Sequence, residues 1–335
     1  MPESVHLNLT YRCNLDCVFC VTGGSRPGSD LPYPALERGL TRARARGAVA
    51  VNLCGGEPTL YPDLLKLVAR ARELGYRHIA LKTNGVRLKD RGFVDDLVEA
   101  GVNHFSVSLH GSSVVHDRLT RTPGSFAAAA RGLDHVHGRG VRLSLPTCIF
   151  APNYALLPET LSVLGDFAPA MVMPTFAEPN GRCDTAFEDL TISYADVRDP
   201  LARGLDLILA RGVAVCLINF PYCTVRGYER YSLDTHSQVV HLLDDAGALR
   251  EDFMETERPL NRAKGAPCRG CNFDGVCSGP FRAYVERRGW GDIAPITDLR
   301  VLDVIPLARI LGHELAARRR SGGPGGPGGA GGGWR

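Results

Sequence analysis

"AVAVNLCGGEPTLYPDLLKLVARARELG", residues 48–75, holds two periodicities in one stretch. Ala48 to Cys54 reads as a short apolar strand, and beyond it Leu64, Leu67, Val68, Ala71 and Leu74 recur at helical spacing. Pro62 suits the first turn of that helix and Gly75 its C-terminal cap. Between strand and helix stands Gly-Gly-Glu-Pro, residues 55–58, a turn with two residues that have no side chain to keep a neighbour away. A strand, a tight loop and a helix make the repeating half of a parallel α/β fold.

The same rhythm runs on both sides. Strands are expected at Val5 to Thr10, His78 to Thr83, His104 to Leu109, Arg142 to Phe150 and Ala170 to Thr175. A second clear helix is "GSFAAAARGLDHVHGRG", with Ser125 as N-cap and Phe126, Ala129, Leu133 and Val136 on one stripe. Six such repeats predict an α/β fold with a parallel sheet, either open or curled into a barrel. After Thr175 the rhythm breaks: a helix near Tyr194 to Arg211 leads to "VAVCLINF" and then to about 100 residues of poor periodicity with four more cysteines. The expected division is a core over 1–212 and a second, small domain over 213–303. A C-terminal helix over 304–320 and a disordered Gly/Pro-rich tail over 321–335 follow.

Composition narrows the function. The net charge is +3, and all but four of the 39 basic residues are Arg, scattered in short runs rather than interleaved with aromatics, which argues against a nucleic-acid partner. No apolar run is long enough to span a bilayer, and "MPESVHLNLT" lacks the basic and apolar regions of a signal peptide, so no membrane partner and a cytoplasmic location are expected. In a reducing compartment eleven cysteines are ligands, reactive thiols or small core residues rather than disulfides.

Each unusual motif follows the C-terminal end of an expected strand: "YRCNLDCVFC", then "GGEP", "TNG", "SLHG" and "TCIFAPN". In parallel α/β folds that rim carries the active site. Cys13, Cys17 and Cys20 supply three thiolates as C-x3-C-x2-C with no fourth cysteine or histidine beside them. A structural zinc site asks for four ligands, whereas an iron–sulfur cube held by three keeps one iron open to an outside ligand.

The cysteine loop after the first strand and "GGEP" after the second resemble the radical S-adenosylmethionine (radical SAM) superfamily over most of residues 5–180. The resemblance implies a [4Fe–4S] cluster on Cys13, Cys17 and Cys20, whose open iron is chelated by SAM. Reduction then cleaves SAM to methionine and a 5′-deoxyadenosyl radical that takes hydrogen from a substrate. It also implies that Phe19 lies near adenine, that Gly55, Gly56, Glu57 and Pro58 meet the methionine moiety, and that Asn84, Ser106 and Ser108 reach the methionine or the ribose. The bland alternative for those last three is a common Asn-Gly turn and serines satisfied by backbone. Where many members carry an acidic residue this chain has His110.

A second set, Cys268, Cys271 and Cys277, lies in "APCRGCNFDGVCSGPFRAYVERRGW", with Cys223 upstream. Four thiolates would close a zinc site or an auxiliary cluster, and spacing alone does not choose. The spacing resembles the SPASM and Twitch extensions of radical SAM enzymes, so the two resemblances together imply a partial (β/α)6 TIM-like barrel with a small C-terminal iron–sulfur domain over 213–303; one auxiliary [4Fe–4S] cluster is implied because position 281 is Phe and no cysteine follows 277. Cys223 is the expected fourth ligand, with Cys216 as substitute. Cys54 is expected in the core, and Cys148 near the rim is either an inert thiol or a hydrogen donor; no catalytic base is assigned. The substrate expected is a peptide or a small natural-product precursor, with electrons from a flavodoxin or ferredoxin. Only twelve residues precede Cys13, fewer than a leader-recognition domain needs, which weakens the expectation of a peptide without removing it and makes a sugar, aminocyclitol or other small metabolite a close alternative. A zinc-stapled binding protein without redox chemistry is the alternative.

Overall fold

Along Ser4–Asn8, Ala50–Cys54 and Met171–Phe176 alternate residues are sealed from solvent while their neighbours are not, and this alternation gives the sheet two unlike faces. The computed structural model describes residues 4–21, 29–233, 240–243, 249–250 and 258–305. The strands are β1 (Ser4–Asn8), β2 (Ala50–Cys54), β3 (His78–Thr83), β4 (His104–Val107), β5 (Arg142–Ile149), β6 (Met171–Phe176), β7 (Ala214–Val215), β8 (Val240–Leu243) and β9 (Leu249–Arg250). They form one sheet in the order β7-β6-β5-β4-β3-β2-β1-β8-β9, parallel throughout except that β9 runs against β8. The architecture is a partial (β/α)6 barrel.

Helices α1 (Tyr33–Ala45), α2 (Leu64–Glu73), α3 (Arg91–Ala100), α4 (Ser113–Thr120), α5 (Ser125–Val136) and α6 (Leu157–Asp166) connect the strands. Their apolar stripes, Leu36 and Leu40 on α1, Leu67 and Val68 on α2, Leu161 and Leu164 on α6, pack in one cluster with Leu7, Leu53, Leu81, Phe105, Leu145 and Val172 from the strands. Burying such aliphatic side chains, at about 1.5–3 kcal/mol each, is what holds the helical layer to the sheet. The opposite, concave face carries polar residues.

Several expectations are adjusted. The first strand spans Ser4–Asn8 rather than Val5 to Thr10, the second begins at Ala50, and the fourth ends at Val107, because the motif loops turn away sooner than apolar content suggests. Helix α2 starts at Leu64 after Asp63, so Pro62 lies just outside it, while Gly75 takes the positive φ of 83° expected past a helix end. Ser125 is not an N-cap. Gly124 occupies that position, and Asp117 of α4 reaches over instead: its carboxylate accepts from Gly124 N, Phe126 N and Ser125 Oγ at 2.6–2.9 Å. Cys54 is not in the core either, since it stands half-buried on the concave face, donating to Leu7 O and Asn8 Oδ1.

Beyond the helix Tyr194–Ala210 the chain is continuous with the barrel. β7 extends one edge of the sheet, β8 pairs in parallel with β1, and Phe281, Tyr284, Val285 and Ile293 belong to the same apolar cluster as the barrel. The expected C-terminal helix over 304–320 and tail over 321–335 lie outside the described residues except for Val304 and Ile305.

Candidate active site

The cysteine loop is built by contacts that begin in the backbone of its neighbours. Gly56 N donates to Thr10 O at 2.7 Å and Glu57 N to Arg12 O at 2.8 Å, so the Gly-Gly turn lies directly on the segment that leads from β1 into the loop. A Cβ on Gly55 would stand 2.6 Å from Thr10 O, and one on Gly56 2.4 Å from Arg12 O. Only residues without a side chain allow that approach. On its far side the loop docks onto the end of α4, where Asp16 N meets Thr120 O and Val18 N meets Leu119 O. Arg182, after β6, clasps it from above: its guanidinium donates to Asp16 Oδ1 at 2.5 Å and to Cys17 O at 2.8 Å, and its backbone N–H to Cys20 O. Arg121 adds a second ion pair to Asp16, and Arg12 holds Asp30 with two hydrogen bonds. No sequence pattern announced Asp16, Arg12, Arg121 or Arg182, because their partners lie up to 166 residues away.

Three thiols therefore share one small loop. Burial, followed by the neighbouring charges of Cys13 and Cys20, pushes Cys17 up to about 12, and burial also raises Cys13. Among the described residues no three His, Cys, Asp or Glu side chains converge as ligands of a single metal ion. A four-iron cube asks for something different, thiolates set apart on separate iron corners, and a loop of three adjacent thiols suits it. Asn84 leans toward the loop, with Nδ2 2.8 Å from Asn14 Oδ1 and 3.9 Å from Cys13 Sγ.

Glu57 is fully buried, and its carboxylate ties the second rim loop to the third. Oε1 accepts from Thr59 N, Thr59 Oγ1 and Thr83 Oγ1, and Oε2 from Asn84 N. Burial pushes its pKa above the usual carboxylate range, outweighing those donors. Pro58, also buried, opens the single turn that follows. Ser106 is buried in β4, and Ser108 lies at the rim just past that strand, where its N–H donates to Thr83 O.

Phe19 stacks on Phe150 at 4.5 Å and meets the edge of His110 at 4.8 Å. Behind it Cys148 and Cys183 sit in a separate apolar cluster with Leu119 and Phe150. His110 is held by three contacts: its Nδ1 accepts from Cys148 N, its own N–H donates to His116 Nδ1, and its carbonyl accepts from Asn153. Burial, then the nearby His116, lowers it to about 3, and burial lowers His116 to about 4, so both rings are neutral at pH 7. Position 110 of this chain thus carries a neutral, packed imidazole.

The second cysteine set also comes together. Cys223, Cys268, Cys271 and Cys277 all line one small cavity with Tyr222, Phe273 and Ile293, and Cys216 does not line it. Backbone N–H groups of Ile296 and Gly279 donate to Cys271 Sγ and Cys277 Sγ at 3.4 and 3.3 Å. Such N–H donors to sulfur are one of the means by which proteins tune iron–sulfur sites.

Residues 7–162 match the family model described as the radical SAM superfamily. Over 167 residues the chain is 32% identical to a probable GTP 3′,8-cyclase of Methanopyrus kandleri, covering 49% of this chain and 53% of that protein. Over 168 residues it is 33% identical to the pre-heme d1 synthase of Dinoroseobacter shibae, covering 48% and 39%. The chain thus spans about half, or less, of the length of these curated relatives. Its fold is similar to that of Streptococcus suis SuiB bound to S-adenosylmethionine, with a TM-score of 0.61 at 16% identity over 88% of this chain and 76% of that one. It is equally similar to native anSMEcpe with bound AdoMet and a Kp18Cys peptide, with a TM-score of 0.61 at 12% identity over 96% and 99%. At such identities the likeness concerns the fold. No described helix is long and apolar enough to cross a membrane. A barrel rim organised around three thiols accords with the family whose model residues 7–162, just under half of the chain, match: the radical SAM superfamily.

Proposed function

We propose that this chain is a radical SAM enzyme that abstracts hydrogen from a peptide or a small natural-product precursor. In this reading Cys13, Cys17 and Cys20 hold the SAM-binding cluster. Cys223, Cys268, Cys271 and Cys277 hold one auxiliary [4Fe–4S] cluster in a SPASM/Twitch-like extension. The observation that carries it is the gathering of three thiols with the Gly-Gly-Glu-Pro turn and Asn84 at one end of a parallel barrel. When bound, the cluster and SAM supply a one-electron cleavage that yields methionine and a 5′-deoxyadenosyl radical.

The chain's own residues prepare that chemistry. The clasp of Arg182 on Asp16 and Cys17 O keeps the loop in one arrangement, and Phe19, wedged against Phe150 and His110, offers an aromatic face beside it. His110 stays neutral there and so adds no charge near an adenine. Asn84 and Ser108 present polar groups at the rim. With a substrate seated over it, the barrel would shield a reactive radical from water and stray hydrogen donors. Electrons would come from a flavodoxin or ferredoxin. A peptide substrate is supported by the likeness, in fold, to SuiB bound to its precursor peptide SuiA, with a TM-score of 0.59. A cleft of about 230 Å³ between the loop after β6 and the extension, lined by Glu178, Asn180, Asn261, Arg282 and Glu286, would suit an extended chain. A small-molecule substrate is supported by relatives whose names concern GTP cyclisation and heme d1 synthesis.

The test is iron and sulfide content together with dithionite-driven formation of 5′-deoxyadenosine on anaerobically reconstituted protein, beside a triple variant Cys13→Ala, Cys17→Ala, Cys20→Ala. About eight irons per chain with SAM cleavage, falling to about four irons and no cleavage in the variant, is the expected result. Stoichiometric zinc and no deoxyadenosine would overturn it in favour of a zinc-stapled binding protein.

A further inference from the structure

Of the two sheet faces, the one turned away from the helices is the more unusual. Parallel pairing in register places Lys82 of β3 beside Ser106 of β4, and Ser106 beside Ser144 of β5. On the other side, one step beyond the Leu53–Leu81 pair, lies Cys54, and beside Cys54 lies Asn8 of β1. Asn8, Cys54, Lys82, Ser106 and Ser144 thus form one row across five strands, on the face opposite the aliphatic residues that meet the helices. The row is polar from end to end, and at its centre stands an ammonium group.

Lys82 is exposed although it lies in mid-sheet, so the concave face is open to solvent at this level. Among the described residues the Lys82 ammonium has no hydrogen-bond or ion-pair partner. None of the nine strands contains an Asp or Glu. The histidines whose charge Lys82 opposes are His104 on the adjacent β4 and His6 on β1, two strands away; each is neutral at pH 7 because burial, and then nearby positive charge that includes Lys82, lowers it. Cys54 keeps its proton as well, raised by burial. Nothing on these strands supplies the negative charge that a cation in a concave site calls for. An aliphatic residue would serve the packing better, and an ammonium is a strongly hydrated point charge suited to a compact anion.

We propose that the concave face of the barrel takes the substrate by an anionic group, carboxylate or phosphate, seated on the Lys82 ammonium and flanked by Asn8, Ser106 and Ser144. The inference deepens the reading above and rests on it to the extent that the occupant is that enzyme's substrate. The anion site itself requires only the barrel.

The experiment uses the anaerobically reconstituted full chain and an amine-acylating reagent, with modification followed at each of its four lysines by peptide mass spectrometry. Succinate and inorganic phosphate are the probes, and succinamide is the neutral control. Lys66, over the Tyr33 ring, and Lys264, paired with Asp274 at 2.8 Å, serve with Lys89 as internal standards. An anion at ten times a millimolar dissociation constant should slow acylation of Lys82 about tenfold and leave the other three unchanged. Stronger protection by succinate marks a carboxylate, and stronger protection by phosphate marks a phosphoryl group; either supports the site. Equal protection by succinamide, or no protection of Lys82 beyond that of the other lysines, overturns it. Deoxyadenosine formation on the same sample keeps the two readings apart: protected Lys82 without SAM cleavage removes the enzyme and keeps the site, and cleavage without protection does the reverse.

Discussion

A methyl group on Gly56 would stand 2.4 Å from the Arg12 carbonyl oxygen, and both atoms belong to backbone that has little room to move. Gly56→Ala should therefore push the cysteine loop off its seat at a cost of about 1–3 kcal/mol. Iron per chain should fall sharply in the variant, with a lower melting temperature in the apoprotein as the companion measurement. Glu57 gives a pH-dependent prediction. Burial raises its folded pKa above the unfolded value, so its contribution to stability is complete below the ordinary carboxylate range and is lost as pH rises through the folded pKa. Measured by denaturant midpoints, the advantage of wild type over Glu57→Gln should be larger at pH 5 than at pH 8. The sequence pointed to both residues as ligand contacts; the structure adds that each is also tied closely to the protein itself. A motif shows where chemistry gathers and says little about which of its atoms are already engaged. Lys82, in the run "IALKTNG", reads simply as part of a buried strand, and only the pairing register reveals which face it shares.

At the scale of elements, the start of α5 depends on a residue of the helix before it. Asp117 satisfies two orphan N–H groups and the Ser125 hydroxyl, so Asp117→Ala should lower stability by about 1–2 kcal/mol, read as a shift of the urea midpoint. Ser125 stood at the expected cap because the sequence pattern weighs only residues adjacent to the helix. The strands were legible to within a few residues, since their alternating apolar side chains are a local signal. β7, β8 and β9 were not, because segments of two to four residues carry no periodicity and form only where an existing strand edge accepts them.

For the whole molecule, the shared apolar cluster matters more than the change of rhythm after Thr175. Phe281, Tyr284 and Val285 pack with Phe176 and Tyr194 of the barrel, so the extension and the barrel should unfold together. Cys268→Ala with Cys271→Ala should give one calorimetric transition at lower temperature; two separated transitions would mean that the units are independent. The parallel pairing of β1 with β8 sets an order in time as well as in space. During synthesis the first strand leaves the ribosome early, and the strand that covers its outer edge follows roughly 230 residues later, about 10 to 50 seconds at ordinary elongation rates. For that interval the nascent chain presents a bare parallel edge next to three free thiols, and its safe passage depends on whatever shields that edge until β8 arrives.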